Sequence, residues 1–519
     1  MGNGGYKIVL TAGRTLMSEY HNAVFLGFSA CCPRGFMPDE IFFTYLCPSV
    51  KVNEDGSVDY AQLGTRKIEA ALINYGFKPE DIIVAHPDHL DKVIGPNTKV
   101  IGLTEHDPLG LGPPTSTFIG VVGGVPYNAY KFRELLNHPA IKEYRSRLKI
   151  ILGGGGAWQF KDEAVRRELG IDTVVIGEGE KVVGPLFEKA IRGEELPGLI
   201  RGEVVPTEEI PTIRKATICG IVEVARGCGR GCDFCIPDML RYRVIPIGQI
   251  LNEVDVNLRW GRQPLLHAED ILRYGAKGLN VNREAVIRLF KDVRSYPGVN
   301  KVSISHFCLS SVASAPDVVE EIERILDLGN PEGQLWLSGQ TGIETGSPRL
   351  VRKHMRGKAK PFEPEEYPDT VVKAFEILSQ HHWIPCSTVL IGLPGETDED
   401  AEATIKLVHR LRDFKSLIVP MFAVSSENPS ESFIADKLTE MQGEVFLSCW
   451  EHDLRWSQLL LDEYIRAADA ATAEGIKSIL AFTVSLVTEW LNRCRNEYHC
   501  NIPAMIRDFR ESLGQGGKA

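Results

Sequence analysis

Eight consecutive residues, Cys228-Gly229-Arg230-Gly231-Cys232-Asp233-Phe234-Cys235, carry the clearest chemical signal in the chain. Their spacing is Cys-x3-Cys-x2-Cys. An apolar run, Ile221-Val222-Glu223-Val224-Ala225, precedes them and reads as a strand ending in Arg226-Gly227. Cysteine thiolates are the ligands of iron–sulfur clusters, and three on one short loop suit a four-iron cubane with one iron left over. No fourth cysteine follows at a matching spacing, and an open metal position is where a substrate or cofactor binds. Gly227, Gly229 and Gly231 let the loop curl and turn its amides toward an anionic cluster. The alternatives are a zinc knuckle lacking its fourth ligand, or three unrelated buried cysteines. The coincidence of spacing, preceding strand and Phe234 favours the cluster.

The elements that must position this loop come next. From about residue 219, strands fit at Gly220–Ala225, Leu265–His267, Lys301–His306, Leu335–Thr341, Cys386–Leu393 and Leu417–Val424. Helices fit at Ile247–Leu258, Arg283–Val293, Ala315–Leu326, Thr370–His381 and Asp398–Arg412. Six strand–helix units imply a curved, partial barrel with its site at the carboxyl ends of the strands. Those ends carry His267-Ala268-Glu269-Asp270, Ser303-Ile304-Ser305-His306, Gln340 to Ser347, and Ile391 to Thr397. Any one of these residues also reads as a cap or a solvated strand end. Their recurrence at successive strands is what points to a site.

Residues 1–200 alternate strands (Lys7–Ala12, Phe25–Ala30, Ile82–His86, Lys99–Thr104, Lys149–Leu152, Thr173–Ile176) with helices (Thr65–Tyr75, Lys131–Leu136, Asp162–Leu169, Lys181–Ile191). This is the pattern of a doubly wound, Rossmann-like parallel sheet, whose ligands sit at the carboxyl ends of its strands. Three such ends stand out: Thr104-Glu105-His106-Asp107, Gly153-Gly154-Gly155-Gly156 and Gly177-Glu178-Gly179-Glu180. Glycines there allow a flat, bulky ligand to approach the backbone, or serve as turns only. Neither a Gly-x-Gly-x-x-Gly opening a helix after the first strand nor a Gly-Lys-Ser/Thr occurs.

The cysteine loop, with its aromatic residue before the last cysteine, resembles that of the radical S-adenosylmethionine (SAM) enzymes. The glycine turn followed by Gly-Glu-Gly-Glu ahead of a cysteine motif resembles the cobalamin-dependent branch of that family, and the Thr104 to Pro113 stretch is similar to its archaeal members. The resemblance covers roughly residues 1–430. It implies a [4Fe-4S] cluster on Cys228, Cys232 and Cys235, with SAM chelating the open iron and cleaved to a 5′-deoxyadenosyl radical. It implies SAM contacts at Phe234, Glu269, Ser305, Gly342 and Glu344. Glu269 matches the acidic position of a Gly-Gly-Glu-like segment whose glycines are here His267-Ala268, and Gly342 and Glu344 lie in a Gly-Ile-Glu-Thr-Gly-Ser segment. It implies cobalamin contacts at Thr104, His106, Asp107, Gly153, Gly154, Gly155, Gly156, Gly177 and Glu178. The Asp-x-His-x-x-Gly motif that ligates cobalt from below in other cobalamin proteins is missing, and a lone histidine such as His106 is more often structural. The implied activity is C-methylation of an unactivated carbon from methylcobalamin, with ferredoxin or flavodoxin as external reductant. Similarity to archaeal members implies a protein substrate, a glutamine of methyl-coenzyme M reductase. A rearranging or ring-forming enzyme on a small molecule, and a non-catalytic cobalamin/iron–sulfur carrier or sensor, are the other readings.

Composition bounds these readings. The chain has 519 residues, 43 % hydrophobic and 24 % charged, ordinary for globular protein. Its formal net charge of −11 argues against nucleic acid as a whole-chain partner. No apolar run approaches the ~18–20 residues that span a bilayer, so no membrane partner is expected. The start, Met1-Gly2-Asn3-Gly4-Gly5-Tyr6, is neither a signal peptide nor a myristoylation site. Twelve scattered cysteines read as a reducing cytoplasm, and an exposed cluster as an anaerobe. The expected organisation is a cobalamin-binding domain (1–200), a linker (201–218), a partial barrel (219–430) and a helical C-terminal region (431–519), with helices over Trp450 to Ala470 and Ile476 to Trp490 and a disordered tail, Gly514 to Gly517.

Overall fold

The computed structural model describes residues 4–22, 24–235, 241–464 and 470–515. The chain forms two compact units, one of Met1–Gly112, Val125–Val222 and Ile245–Leu265, the other of Pro113–Gly124, Glu223–Val244 and Leu266–Ala519.

The first unit is built on a six-stranded sheet in the spatial order Ile82–Val84, Ile8–Thr11, Val100–Thr104, Lys149–Gly153, Thr173–Ile176, Leu199–Arg201, with every neighbour parallel. Side chains alternate between faces along each strand. Ile8, Leu10 and Ile82 enter one core with Leu72 and Phe187 of the helices Leu63–Tyr75 and Val183–Ile191. Val9, Ile83 and Ile101 enter the other with Phe132 and Leu135 of the helix Tyr127–Leu136. Both faces are covered, as a parallel sheet requires. The α/β class and the parallel sheet expected from the sequence are what the structure has.

Two local expectations are corrected. The run Phe25–Ala30 is not a strand but part of a 3-10 helix, Val24–Cys31. Both sides of Ile8–Thr11 are already paired, by Ile82–Val84 and Val100–Thr104, and short apolar runs do not settle helix against strand. The stretch 201–218, expected as a linker, is packed: Val205, Ile210, Ile213 and Ala216 are buried, Arg66 donates to the Ala216 carbonyl (3.1 Å), and Lys67 to that of Pro211 (2.9 Å).

In the second unit the strands Leu337–Glu344, Trp383–Ile391 and Leu417–Phe422 pair in parallel. A second three-stranded sheet orders Ser303–Ile304, Leu265–His267 and Ile221–Glu223, and a parallel bridge from His306 to Gln340 joins the two. The six expected strand positions are therefore occupied in chain order. The helix Pro113–Val122, unforeseen from the sequence, covers the outer strand, with Thr117 Oγ1 accepting from the Phe422 amide at 2.7 Å. This closes an edge that would otherwise present unpaired backbone groups.

The C-terminal region is helical as expected: Glu440–Tyr464, Ala470–Tyr498 and Ile502–Gln515. Ile465 of the expected apolar stripe and the tail from residue 516 lie outside the described residues. Contrary to the expectation of no such segment, Ala470–Tyr498 is long and apolar enough to cross a membrane by length and composition alone, and only 6 % of its most apolar stretch is buried. Two hydroxyls within it are satisfied by the helix itself, Thr483 on the Ile479 carbonyl and Thr488 on that of Val484.

Candidate active site

The cysteine loop follows the short strand Ala225–Arg226. Gly227, Gly229 and Gly231 all adopt positive φ (73°, 66° and 70°), the left-handed turns that only glycine makes without strain. Each non-cysteine side chain of the loop is anchored. The Arg230 guanidinium is buried, donates to Asp270 (2.9 Å) and Ser311 (2.8 Å), and reaches the carbonyls of Gly357 (2.9 Å) and Lys360 (3.1 Å). Asp233 pairs with His354 Nδ1 at 2.8 Å, while His354 Nε2 bonds the Pro394 carbonyl at 2.9 Å. Phe234 packs on Leu350, Leu390, Leu393 and Ala423. Arg273 donates to the Cys228 carbonyl. What remains for the loop to present is its three thiols, each half-buried and none in a disulfide.

Burial pushes the Cys232 thiol up to about 12, partly offset by the Lys358 ammonium, and raises that of Cys228 as well. Uptake of a metal cluster would therefore release protons. Among the described residues no three His, Cys, Asp or Glu side chains converge as ligands of a single ion. A cubane binds each thiolate at its own iron, so its ligands stand wider apart. The chemistry of the donor set and the glycine-turned loop fit such a cluster better than zinc.

The strand ends around the loop divide into two kinds. Glu269 is half-buried, and its charge acts on Cys228. Ser305 is a splice between strands, sharing its hydroxyl with His267 Nδ1 (2.9 Å) and the Ala268 amide (3.2 Å). Glu344 is buried at φ +65°, beside a register break in its strand, and is ion-paired with Lys358; Thr388 donates to it at 3.1 Å. Gly342 leaves the room that this pair occupies, since a Cβ there would collide with Glu344 Oε1. Asp270, Arg230 and Lys358 were not singled out from sequence, because their partners lie 14 to 40 residues away or more.

In the first unit the sheet order places a topological switch point between Ile8–Thr11 and Val100–Thr104, where ligands of such sheets bind. Glu105 closes it, accepting from the Gly13 amide at 2.6 Å. Asp107 braces the adjoining loop through the Gly112 amide (2.9 Å), Gln159 (2.6 Å) and Asn128 (3.0 Å). His106 between them is exposed. The glycine turn packs directly against this loop: a Cβ on Gly154 would meet the Glu105 carbonyl at 2.5 Å, and one on Gly156 that of His106 at 2.4 Å. Thr104 lies beside Gly154, its methyl 3.2 Å from where that Cβ would be. Among the described residues nothing comes closer than 3.8 Å to a Cβ built on Gly153, and one on Gly155 would meet only His106, at 3.1 Å. A side chain would thus be blocked by backbone at Gly154 and Gly156, and less so at Gly153 and Gly155. Gly177 turns at φ +93°, and Glu178 accepts from the Val205 amide at 3.0 Å.

Burial raises the Glu105 carboxyl to about 8. In the unfolded chain it titrates near the ordinary glutamate value of about 4.3. Between these values the native state keeps a proton that the unfolded state loses, so this residue's contribution makes stability fall as pH rises. Glu105→Gln is expected to gain on the wild type in urea unfolding between about pH 5.5 and about pH 8. A constant difference across that range would refute the assignment.

Comparison with known proteins agrees with this geometry. The radical SAM superfamily profile matches residues 222–408. The tRNA-2-methylthio-N(6)-dimethylallyladenosine synthase of Orientia tsutsugamushi (strain Ikeda) is 23 % identical over 283 residues, 53 % of this chain and 60 % of that protein. The Streptomyces coelicolor enzyme of the same name is 28 % identical over 290 residues, 53 % of this chain and 52 % of that one. The matches thus span only half to three-fifths of these relatives' length. Among solved structures, the radical S-adenosylmethionine methyltransferase TsrM from Kitasatospora setae, with cobalamin and a [4Fe-4S] cluster bound, superimposes with a TM-score of 0.50 at 15 % identity, over 80 % of this chain and 75 % of that one. At that identity the likeness is one of fold.

Proposed function

We propose that the chain is a cobalamin-dependent radical SAM C-methyltransferase acting on an unactivated carbon. One observation carries the reading: a single chain joins a doubly wound sheet, glycine-turned at its ligand-binding end, to a partial barrel opened by a three-cysteine loop. The fold likeness to a cobalamin-bound methyltransferase supports it. When bound, the cluster with SAM would supply a 5′-deoxyadenosyl radical and the corrinoid a transferable methyl group.

The chain's own residues hold and shield. Cys228, Cys232 and Cys235 would hold the cluster, and the anchors on Arg230, Asp233 and Phe234 keep their loop from drifting. Glu269 offers a carboxylate for the ammonium of SAM, an opposite charge being the main way to hold a cation. Gly153 and Gly155, with Thr104 and His106 beside them, would seat the corrinoid. A protein substrate, the glutamine of methyl-coenzyme M reductase, an archaeal, anaerobic, cytoplasmic setting and a ferredoxin- or flavodoxin-type reductant complete the proposal.

A second reading, thiomethylation of tRNA, draws on the curated relatives' names. The net charge of −11 weighs against it, since polyanion binding rests on neutralising phosphates with Lys and Arg. The test is turnover by anaerobically reconstituted protein with SAM, cobalamin, reductant and the candidate peptide. S-Adenosylhomocysteine and 5′-deoxyadenosine, together with a methyl gain on the peptide, are expected. 5′-Deoxyadenosine alone would point to a rearrangement, neither product to a carrier, and a thiomethyl gain on tRNA to the second reading.

A further inference from the structure

The turn that follows the helix Pro348–His354 is clamped to the cysteine loop. Arg230 Nη1 holds the carbonyls of Gly357 and Lys360, and a Cβ on Gly357 would fall 1.9 Å from the Arg230 carbonyl oxygen, so the two segments are in direct contact. Ser310 fixes the turn from its other side by donating to the Lys358 carbonyl at 2.7 Å. This clamp delivers one long cationic side chain inward. The Lys358 side chain is only 13 % exposed, its ammonium is paired with Glu344 (itself 8 % exposed), and its charge reaches Cys232. Glu344 also holds Thr388, on the neighbouring strand, so the pair is fixed from both ends. Lys360, two residues on, turns outward and pairs with Glu363.

The reduction potential of an iron–sulfur cluster is set by nearby charge, hydrogen bonds and solvent exposure. We propose that Lys358 is a positioning residue that holds Glu344 and sets the reduction potential of the cluster on Cys228, Cys232 and Cys235. The proposal rests on the reading of that loop as a cluster site. A buried cation beside the cluster favours the added electron, and a buried carboxylate disfavours it, because charges interact strongly where water is excluded. The two members of the pair therefore act with opposite sign.

The experiment is a redox titration of the anaerobically reconstituted full-length protein without SAM, followed by electron paramagnetic resonance, with iron content determined in parallel. Lys358→Met should lower the midpoint, cutting the reduced-to-oxidised ratio at the wild-type midpoint about tenfold, or about 59 mV for a one-electron couple. Glu344→Gln should shift it upward. Lys358→Arg and Lys360→Met should stay at the wild-type value. Should Lys358→Met fail to take up iron, the upward shift of Glu344→Gln decides the matter. Full iron content with unmoved midpoints, or Lys358→Met and Glu344→Gln shifting the same way, would overturn the proposal. A wild-type protein that takes up no iron would instead sink the cluster reading beneath it.

Discussion

Replacing Cys228, Cys232 or Cys235 with serine is expected to lower bound iron from about four atoms per chain to nearly none, and to abolish SAM cleavage with it. A hydroxyl of nearly the same size fits the site but does not supply a thiolate. In a cubane held by three thiolates each would serve its own iron, so the others could not compensate. Cys308 is the control. It is buried, with its sulfur 3.3 Å from Ser310 Oγ and 3.7 Å from the Lys358 carbonyl, a packed and satisfied position. Cys308→Ser should keep its iron, measured after anaerobic reconstitution. Iron loss in Cys308→Ser, or iron retention in the three loop variants, would mean that the ligands are wrongly chosen.

The second large effect belongs to Asp270. Its carboxylate accepts from Arg230 (2.9 Å), from Ser311 (2.8 Å) and from the Cys308 amide (3.2 Å), and it is 3 % exposed. Asp270→Ala leaves the Arg230 guanidinium buried without its counter-charge, which costs on the order of 3–5 kcal/mol in such pairs. The double variant Asp270→Ala/Arg230→Met removes both charges and should recover a large part of that loss, since the two sites are directly coupled. Chemical unfolding of the three proteins checks this. Additive losses would show that the pair is not what holds the loop.

What the sequence revealed, and what it hid, follows the distance over which each feature is encoded. The cysteine loop is contained in eight residues and is legible as a motif, and five of the six parallel strands of the first sheet are legible as apolar runs bounded by turns. Three features were not. The strand Leu199–Arg201 is short and half-exposed at the sheet's edge, so it reads like the polar stretch after it. The helix Pro113–Val122 begins with two prolines that read as a loop, although proline is tolerated in a first turn. Glu344 reads as a free carboxylate at a strand end, because its partner Lys358 lies 14 residues on, in the short helix Arg356–Ala359. Glu105 shows the same limit: its neighbours Thr104 and His106 draw attention by type, yet Glu105 is the residue that bridges the switch point.

The central claim is that one chain binds both an iron cubane and a corrinoid. The most direct measurement is the metal and cofactor content of the full-length protein after anaerobic incubation with iron, sulfide and hydroxocobalamin and removal of unbound material. The account predicts about four irons, as for a [4Fe–4S] centre with its paramagnetic signal on reduction, and retained corrinoid. Zinc in place of iron, with no corrinoid retained, would contradict it.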